Sequence, residues 1–153
     1  MNVAIVGATG NVGRKTIEIL DNDNGWFRTG DLGAMTENGG LSFLGRLKDM
    51  LKVGGENVAA IEVESFLSTH PAVNIAQVVG VPDEKYVEVA AAFIELRPDM
   101  TATEVEIIEF CQGQIARYKI PRYVRFVTEW PMSSTKIQKF KLRDMLCAEL
   151  GLR

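Results

Sequence analysis

Gly45-Arg46-Leu47-Lys48-Asp49-Met50-Leu51-Lys52-Val53-Gly54-Gly55-Glu56-Asn57-Val58, followed closely by Glu62-Val63-Glu64, decides how this chain is read. Residues 50–53 predict a short strand, and the Gly54-Gly55 pair that ends it is a turn signal in its own right. Beyond the turn, Ile61, Val63 or Glu64, and Leu67 fall at helical spacing, and His70-Pro71 closes that helix. Upstream, residues 41–44 predict another short strand. The strands over 41–44 and 50–53 are expected to pair as a hairpin around Arg46 and Lys48.

Working outward, residues 73–81 form a nearly unbroken apolar strand and residues 87–96 a second, stopped at Pro98. Thr101 or Thr103 is placed to cap a helix over 104–112, with apolar Val105, Ile107, Ile108 and Cys111. Residues 123–127 alternate as a strand up to Trp130-Pro131. A final amphipathic helix spans 139–150, with Gly151 after it. Strands interleaved with helices, but without regular βαβ crossovers, imply an α+β fold: a β-hairpin plus a three-stranded sheet with flanking helices. Phe66, Phe93, Phe110, Tyr123, Phe126 and Trp130 are assigned to its core.

The bulk composition narrows the function classes. With 153 residues, 46% hydrophobic and 24% charged, the chain reads as a small soluble protein. A net charge of −3 gives no reason to invoke nucleic acid or an anionic membrane. No apolar run approaches the roughly 18 residues of a membrane-spanning helix. Residues 1–7 lack the basic lead and cleavage site of a signal peptide. Cys111 and Cys147 lie far apart without a metal-ligand pattern, so reduced thiols in a cytoplasmic protein are expected. His70, the single histidine, has no partner histidine or nearby nucleophile and is read as structural.

The first twenty residues have a different character. Val3-Ala4-Ile5-Val6 is a short apolar strand, Gly7-Ala8-Thr9-Gly10-Asn11-Val12-Gly13 a glycine-rich turn, and Arg14 starts a helix running to Leu20. The stretch resembles the nucleotide-binding start of aspartate-semialdehyde dehydrogenase, a Rossmann-like fragment whose resemblance implies NADP binding. It breaks off at Asp21-Asn22-Asp23-Asn24-Gly25, and no second apolar strand ending in an acidic residue follows. Residues 1–20 are therefore expected to stand as this fragment, and the second resemblance, given next, implies 21–47 as a remnant of a large domain and 48–153 as a small one.

Three motifs carry a second and longer resemblance. Gly45 to Val58 with Glu62-Val63-Glu64, quoted above, resembles the hinge of adenylate-forming enzymes: acyl-CoA synthetases, luciferases and peptide-synthetase adenylation domains. Gly25-Trp26-Phe27-Arg28-Thr29-Gly30-Asp31 resembles the family's ribose-binding segment, and Pro131-Met132-Ser133-Ser134-Thr135-Lys136-Ile137-Gln138-Lys139 its lysine loop. Their order and spacing are the family's. The resemblance covers roughly residues 25–150 and implies the mobile C-terminal domain of a fatty-acyl-CoA synthetase. It implies ATP or AMP and CoA as ligands, with Mg²⁺ and the acyl chain held by a large AMP-binding domain that this stretch does not include. The chain alone is thus expected to be incomplete as a ligase and to work with a large domain in cis or in trans. A non-catalytic binding module acting with a partner is the alternative.

The same resemblance assigns roles residue by residue. Lys136 is the catalytic candidate: as a carboxylate attacks the α-phosphate, like charges converge, and a flexible ammonium can touch both groups. Thr135 stands where the family has glycine, and threonine reaches positive φ less readily. Asp31 is the candidate ribose ligand, since a carboxylate accepts from two vicinal hydroxyls at once. Arg46 would add a fork of donors to the nucleotide. Lys48 is the hinge, about which the domain presents Lys136 for adenylation and Gly54-Gly55 for thioester formation. Gly54 and Gly55 leave room for a narrow pantetheine arm, with Lys52, Glu56 and Asn57 beside its path. Glu62 and Glu64 are placed on a helix surface rather than in an acid–base pair.

Overall fold

The computed structural model describes residues 30–35, 38 and 40–152. The chain divides into two units, residues 1–31 and 32–153. The strand, glycine-rich turn and helix expected over 1–20 lie outside the described residues, as do residues 25–29 of the ribose-type segment.

The strands are β1 (Asp31–Met35), β2 (Leu41–Arg46), β3 (Met50–Val53), β4 (Glu56–Ala59), β5 (Val73–Asp83), β6 (Val87–Leu96) and β7 (Tyr123–Phe126). The helices are α1 (Ala60–Leu67), α2 (Glu104–Cys111) and α3 (Lys139–Leu150). β1 and β2 form a two-stranded sheet, so β2 does not pair with β3. The hairpin expected around Arg46 and Lys48 is therefore replaced by a single 3₁₀ turn, Leu47–Asp49. The reason lies at the other end of β3. Val53 pairs with Glu56 across Gly54 and Gly55, whose φ angles of 59° and 93° are both positive, as a two-residue primed turn requires. That turn folds β3 onto β4 and uses the pairing edge that β2 would have needed.

β6 is the centre of a five-stranded sheet. β5 pairs antiparallel along one edge of it. On the other edge β7 runs parallel, from Ala91↔Tyr123 to Ile94↔Phe126, and β3 attaches at Val53↔Val87. The architecture is the α+β one expected, with the β3–β4 hairpin joined to β5, β6 and β7.

Both faces of the sheet are covered. Val78, Ala90, Ala92 and Ile94 point to a core shared with α1 (Val63, Leu67) and α2 (Ile107, Cys111). Val79, Val81, Val89, Ala91 and Phe93 point to α3, which contributes Leu142 and Leu146. Double burial explains why β5 and β6 read as nearly continuous apolar runs instead of alternating ones. The spacings Val63–Leu67, Ile107–Cys111 and Leu142–Leu146 each place two side chains on one helical face. Fully burying a leucine such as Leu67 or Leu142 is worth about 1.5–3 kcal/mol. Of the aromatics assigned to the core, Phe93 is buried, but Phe126 is 38% exposed because it closes β7 at the sheet's rim.

α2 opens with the cap its sequence predicts, at the second of the two candidate threonines. Thr103 accepts from the Glu106 N–H while Glu106 accepts from the Thr103 N–H, a reciprocal capping box. α3 ends at Gly151, whose φ of 67° suits a left-handed cap.

Candidate functional site

Residues 131–138 connect β7 to α3 and carry Lys136. Met132 bridges to Ile137, the Ser133 N–H donates to the Lys136 carbonyl at 2.8 Å, and the Gln138 N–H donates to the Pro131 carbonyl at 2.8 Å. These bonds close a tight loop with Lys136 at its foot and its side chain exposed. Among the described non-glycine residues, only Val87 and Asp99 have positive φ. The loop therefore closes without left-handed backbone at Thr135, and threonine in the glycine position carries no such strain.

Lys136 lines an open groove of about 530 Å³ together with Arg46, Lys48, the 49–51 segment, β5 at 78–80, Glu88, and Phe140 and Arg143 of α3. Five basic side chains line it (Arg46, Lys48, Lys136, Lys139, Arg143) against two carboxylates, Asp49 and Glu88, with Lys139 also paired to Glu64. Glu88 is already engaged. It accepts the Lys52 N–H at 2.9 Å and lies 3.9 Å from an Arg143 nitrogen. Gly80 makes that arrangement possible, because a Cβ there would stand 3.0 Å from a Glu88 oxygen. α3 begins at the groove with no acidic residue in its first turn and no side-chain cap, so its partly positive N-terminus adds to the field. A concave surface of this sign is built to receive an anion and to stabilise negative charge developing on it.

The glycine turn lies elsewhere. β3 contributes its first residues to the groove, and Gly54-Gly55 follow its last, four residues on at about 3.3 Å each. The Gly54 N–H donates to the Tyr86 carbonyl at 2.8 Å, and a Cβ on Gly54 would meet the Tyr86 ring at 3.2 Å. Glu56 is exposed at the start of β4, beside the turn. Arg46, Lys48 and Lys136 are thus brought together, while Gly54, Gly55 and Glu56 form a second locus at the opposite end of β3. Asp31 is exposed and belongs to the first unit.

Sequence reasoning passed over Lys139, Phe140, Arg143 and Glu88. The usable signal was the spacing of Lys139 and Arg143, four apart on one helix beside the apolar Leu142 and Leu146. Glu64 also departs from the surface role expected of it. Its side chain is only 14% exposed, and one carboxylate oxygen accepts both the Val78 N–H at 2.7 Å and Lys139 Nζ at 2.6 Å. His70 accepts the Ala72 N–H through Nδ1 at 3.2 Å and stands edge-on to Phe110, a packing role.

The AMP-binding enzyme C-terminal domain matches residues 62–136, from within α1 to Lys136 in the loop before α3. These residues belong to the adenylate-forming enzyme family. The chain is 52% identical over 124 residues to the putative acyl-CoA synthetase YngI of Bacillus subtilis, covering 80% of this chain and 23% of that protein. It is 46% identical over 140 residues to human mitochondrial medium-chain acyl-CoA ligase ACSF2, covering 91% of this chain and 23% of that one. Among solved structures, the anthranilate CoA ligase AuaEII in complex with anthranoyl-AMP superposes with a TM-score of 0.75 at 39% identity, over 93% of this chain and 27% of that one. The chain spans about a quarter of the length of these adenylate-forming relatives. The aspartate-semialdehyde dehydrogenase resemblance falls outside the described residues and has no counterpart in these matches.

Among the described residues, no helix is long and apolar enough to cross a membrane. Nor does any group of His, Cys, Asp and Glu among them suit a metal ion.

Proposed function

We propose that this chain acts as the C-terminal domain of an acyl-CoA synthetase and supplies Lys136 to the adenylation of a fatty acid. A carboxylate oxygen attacks the α-phosphorus of ATP, the bond to pyrophosphate breaks, and an acyl-adenylate remains. Lys136 neutralises the approaching charges, with Arg46 and the positive end of α3 beside it. In the second step a CoA thiolate attacks the acyl carbonyl and AMP leaves. Lys48 is the hinge between the two steps, and the Gly54-Gly55 turn, with Glu56 at its side, borders the thiol's path. Asp31 holds the ribose. The large domain, supplied in cis or in trans, holds the acyl chain and Mg²⁺.

The observation that carries this reading is the cationic groove gathering Arg46, Lys48 and Lys136 at one end of β3. The test is complementation. The full chain is mixed with the large domain of the Bacillus subtilis relative lacking its own C-terminal domain, and ATP–pyrophosphate exchange is followed. Exchange that appears on mixing and disappears with Lys136→Ala supports the proposal. No exchange with the unsubstituted chain overturns it in favour of a non-catalytic module.

A further inference from the structure

The turn between β5 and β6 holds a feature that the adenylation reading does not use. Val87 has a φ of 70°, and a β-branched residue in left-handed backbone is a genuine outlier. Such a conformation persists only where its surroundings over-determine it. Here they do. The Asp83 carboxylate accepts the Lys85 and Tyr86 N–H groups, each at 2.9 Å, and the Tyr86 carbonyl accepts the Gly54 N–H at 2.8 Å. Tyr86 also packs its ring so close to Gly54 that a Cβ there would sit 3.2 Å away. Val87 itself gains little by burial, being 68% exposed.

We propose that Tyr86 is a positioning residue that covers the Gly54-Gly55 turn, held there against the strain at Val87, so that the turn alternates between a covered and an uncovered state. The inference rests on the reading above that this turn borders the thiol's path. Rotation about the N–Cα bond of Val87 joins the Tyr86 peptide to β6, so relaxing φ to a negative value swings the Tyr86 carbonyl off the Gly54 N–H. Strain brings the two states close in free energy, which is what a gate on a substrate path needs. Tyr86 thereby regulates access of the pantetheine thiol without touching the adenylation groove, which it does not line.

The first test uses the full chain and amide hydrogen exchange at Gly54. Val87→Gly removes the strain while keeping the turn, so it slows Gly54 exchange by about tenfold and raises the melting temperature. Tyr86→Ala accelerates Gly54 exchange by about tenfold, while Tyr86→Phe, which keeps the ring, leaves it unchanged. Unaltered Gly54 exchange in Val87→Gly overturns the two-state latch. The second test uses the complemented mixture. Val87→Gly raises the KM for CoA in thioester formation about fivefold, by population shift toward the covered state, and leaves pyrophosphate exchange as it was. Equal slowing of both half-reactions, or no change in the KM for CoA, overturns the gating role. If the unsubstituted mixture performs no exchange, the synthetase reading fails, whereas Gly54 exchange still decides the latch.

Discussion

An ammonium that must meet two anions as they converge should not be spent on a carboxylate beforehand. Lys136 satisfies this: among the described residues no carboxylate pairs with it, whereas Lys139, three positions on, is bound to Glu64 at 2.6 Å. The two lysines line one groove and differ in their partners. In the complemented assay, Lys136→Ala should reduce pyrophosphate exchange about a hundredfold or more, the scale of losing one transition-state charge contact. Its melting temperature should stay at the unsubstituted value, because the side chain is exposed. A Lys136→Ala protein that unfolds early would place the lysine in the scaffold instead of the chemistry. The two cysteines diverge in a similar way. Burial pushes the Cys111 thiol up to about 11, and its Sγ–H donates to the Ile107 carbonyl at 3.3 Å. Iodoacetamide at pH 8 should therefore label the partly exposed Cys147 in the folded chain and reach Cys111 only after denaturation, as peptide mass mapping would show.

Elements that carry their own punctuation were legible from the sequence. α3 spans the predicted residues because Gly151 stops it, and β6 because Pro98 follows it, while β5 runs on to Asp83, two residues past its expected end. The 41–53 region misled because strand propensity does not say which partner a strand takes. A glycine pair that can adopt two positive φ angles settled that in favour of β3 with β4. The cap of α2 offers a test by pH. Hydrogen bonds from the Thr103 backbone and hydroxyl hold the Glu106 carboxyl below its ordinary value of 4.5. A carboxyl depressed by folding stabilises the fold above the unfolded-state value, and the gain disappears as pH falls through the folded-state value. Glu106→Gln should therefore lower the melting temperature at pH 7. The gap to the unsubstituted chain should close as the pH is taken below 4.5, and a gap that widens on acidification would contradict the sign.

At the scale of the molecule, the sheet separates two helical layers, and ion pairs tie them together around its two edges. Beyond β5, Glu64 of α1 holds Lys139 of α3 and also satisfies the Val78 N–H, which faces away from β6. Beyond β7, Arg125 reaches Glu104 of α2 and Glu149 of α3. Neither clasp could be read from the sequence, since each depends on which helix covers which face. The same is true of the groove: the sequence marks Arg46, Lys48 and Lys136 in separate motifs, but only the fold sets them beside Arg143 and the start of α3. Burial decides which clasp matters. Lys139 and Glu64 are 24% and 14% exposed, against 27% and 51% for Arg125 and Glu149. Exposed pairs are worth about 0–1 kcal/mol, while removing one partner of a more enclosed, hydrogen-bonded pair costs about 1–3 kcal/mol through the group left behind. Glu64→Ala should accordingly destabilise the chain by about 1–3 kcal/mol in urea unfolding, and Glu64→Gln by less, because the amide oxygen still accepts the Val78 N–H. A double-mutant cycle of Glu64→Ala with Lys139→Ala should give a coupling of about 0.5–2 kcal/mol, larger than that of Arg125→Ala with Glu149→Ala. Equal couplings at the two edges would mean that solvent screens both pairs alike, and that apolar burial alone holds the layers in place.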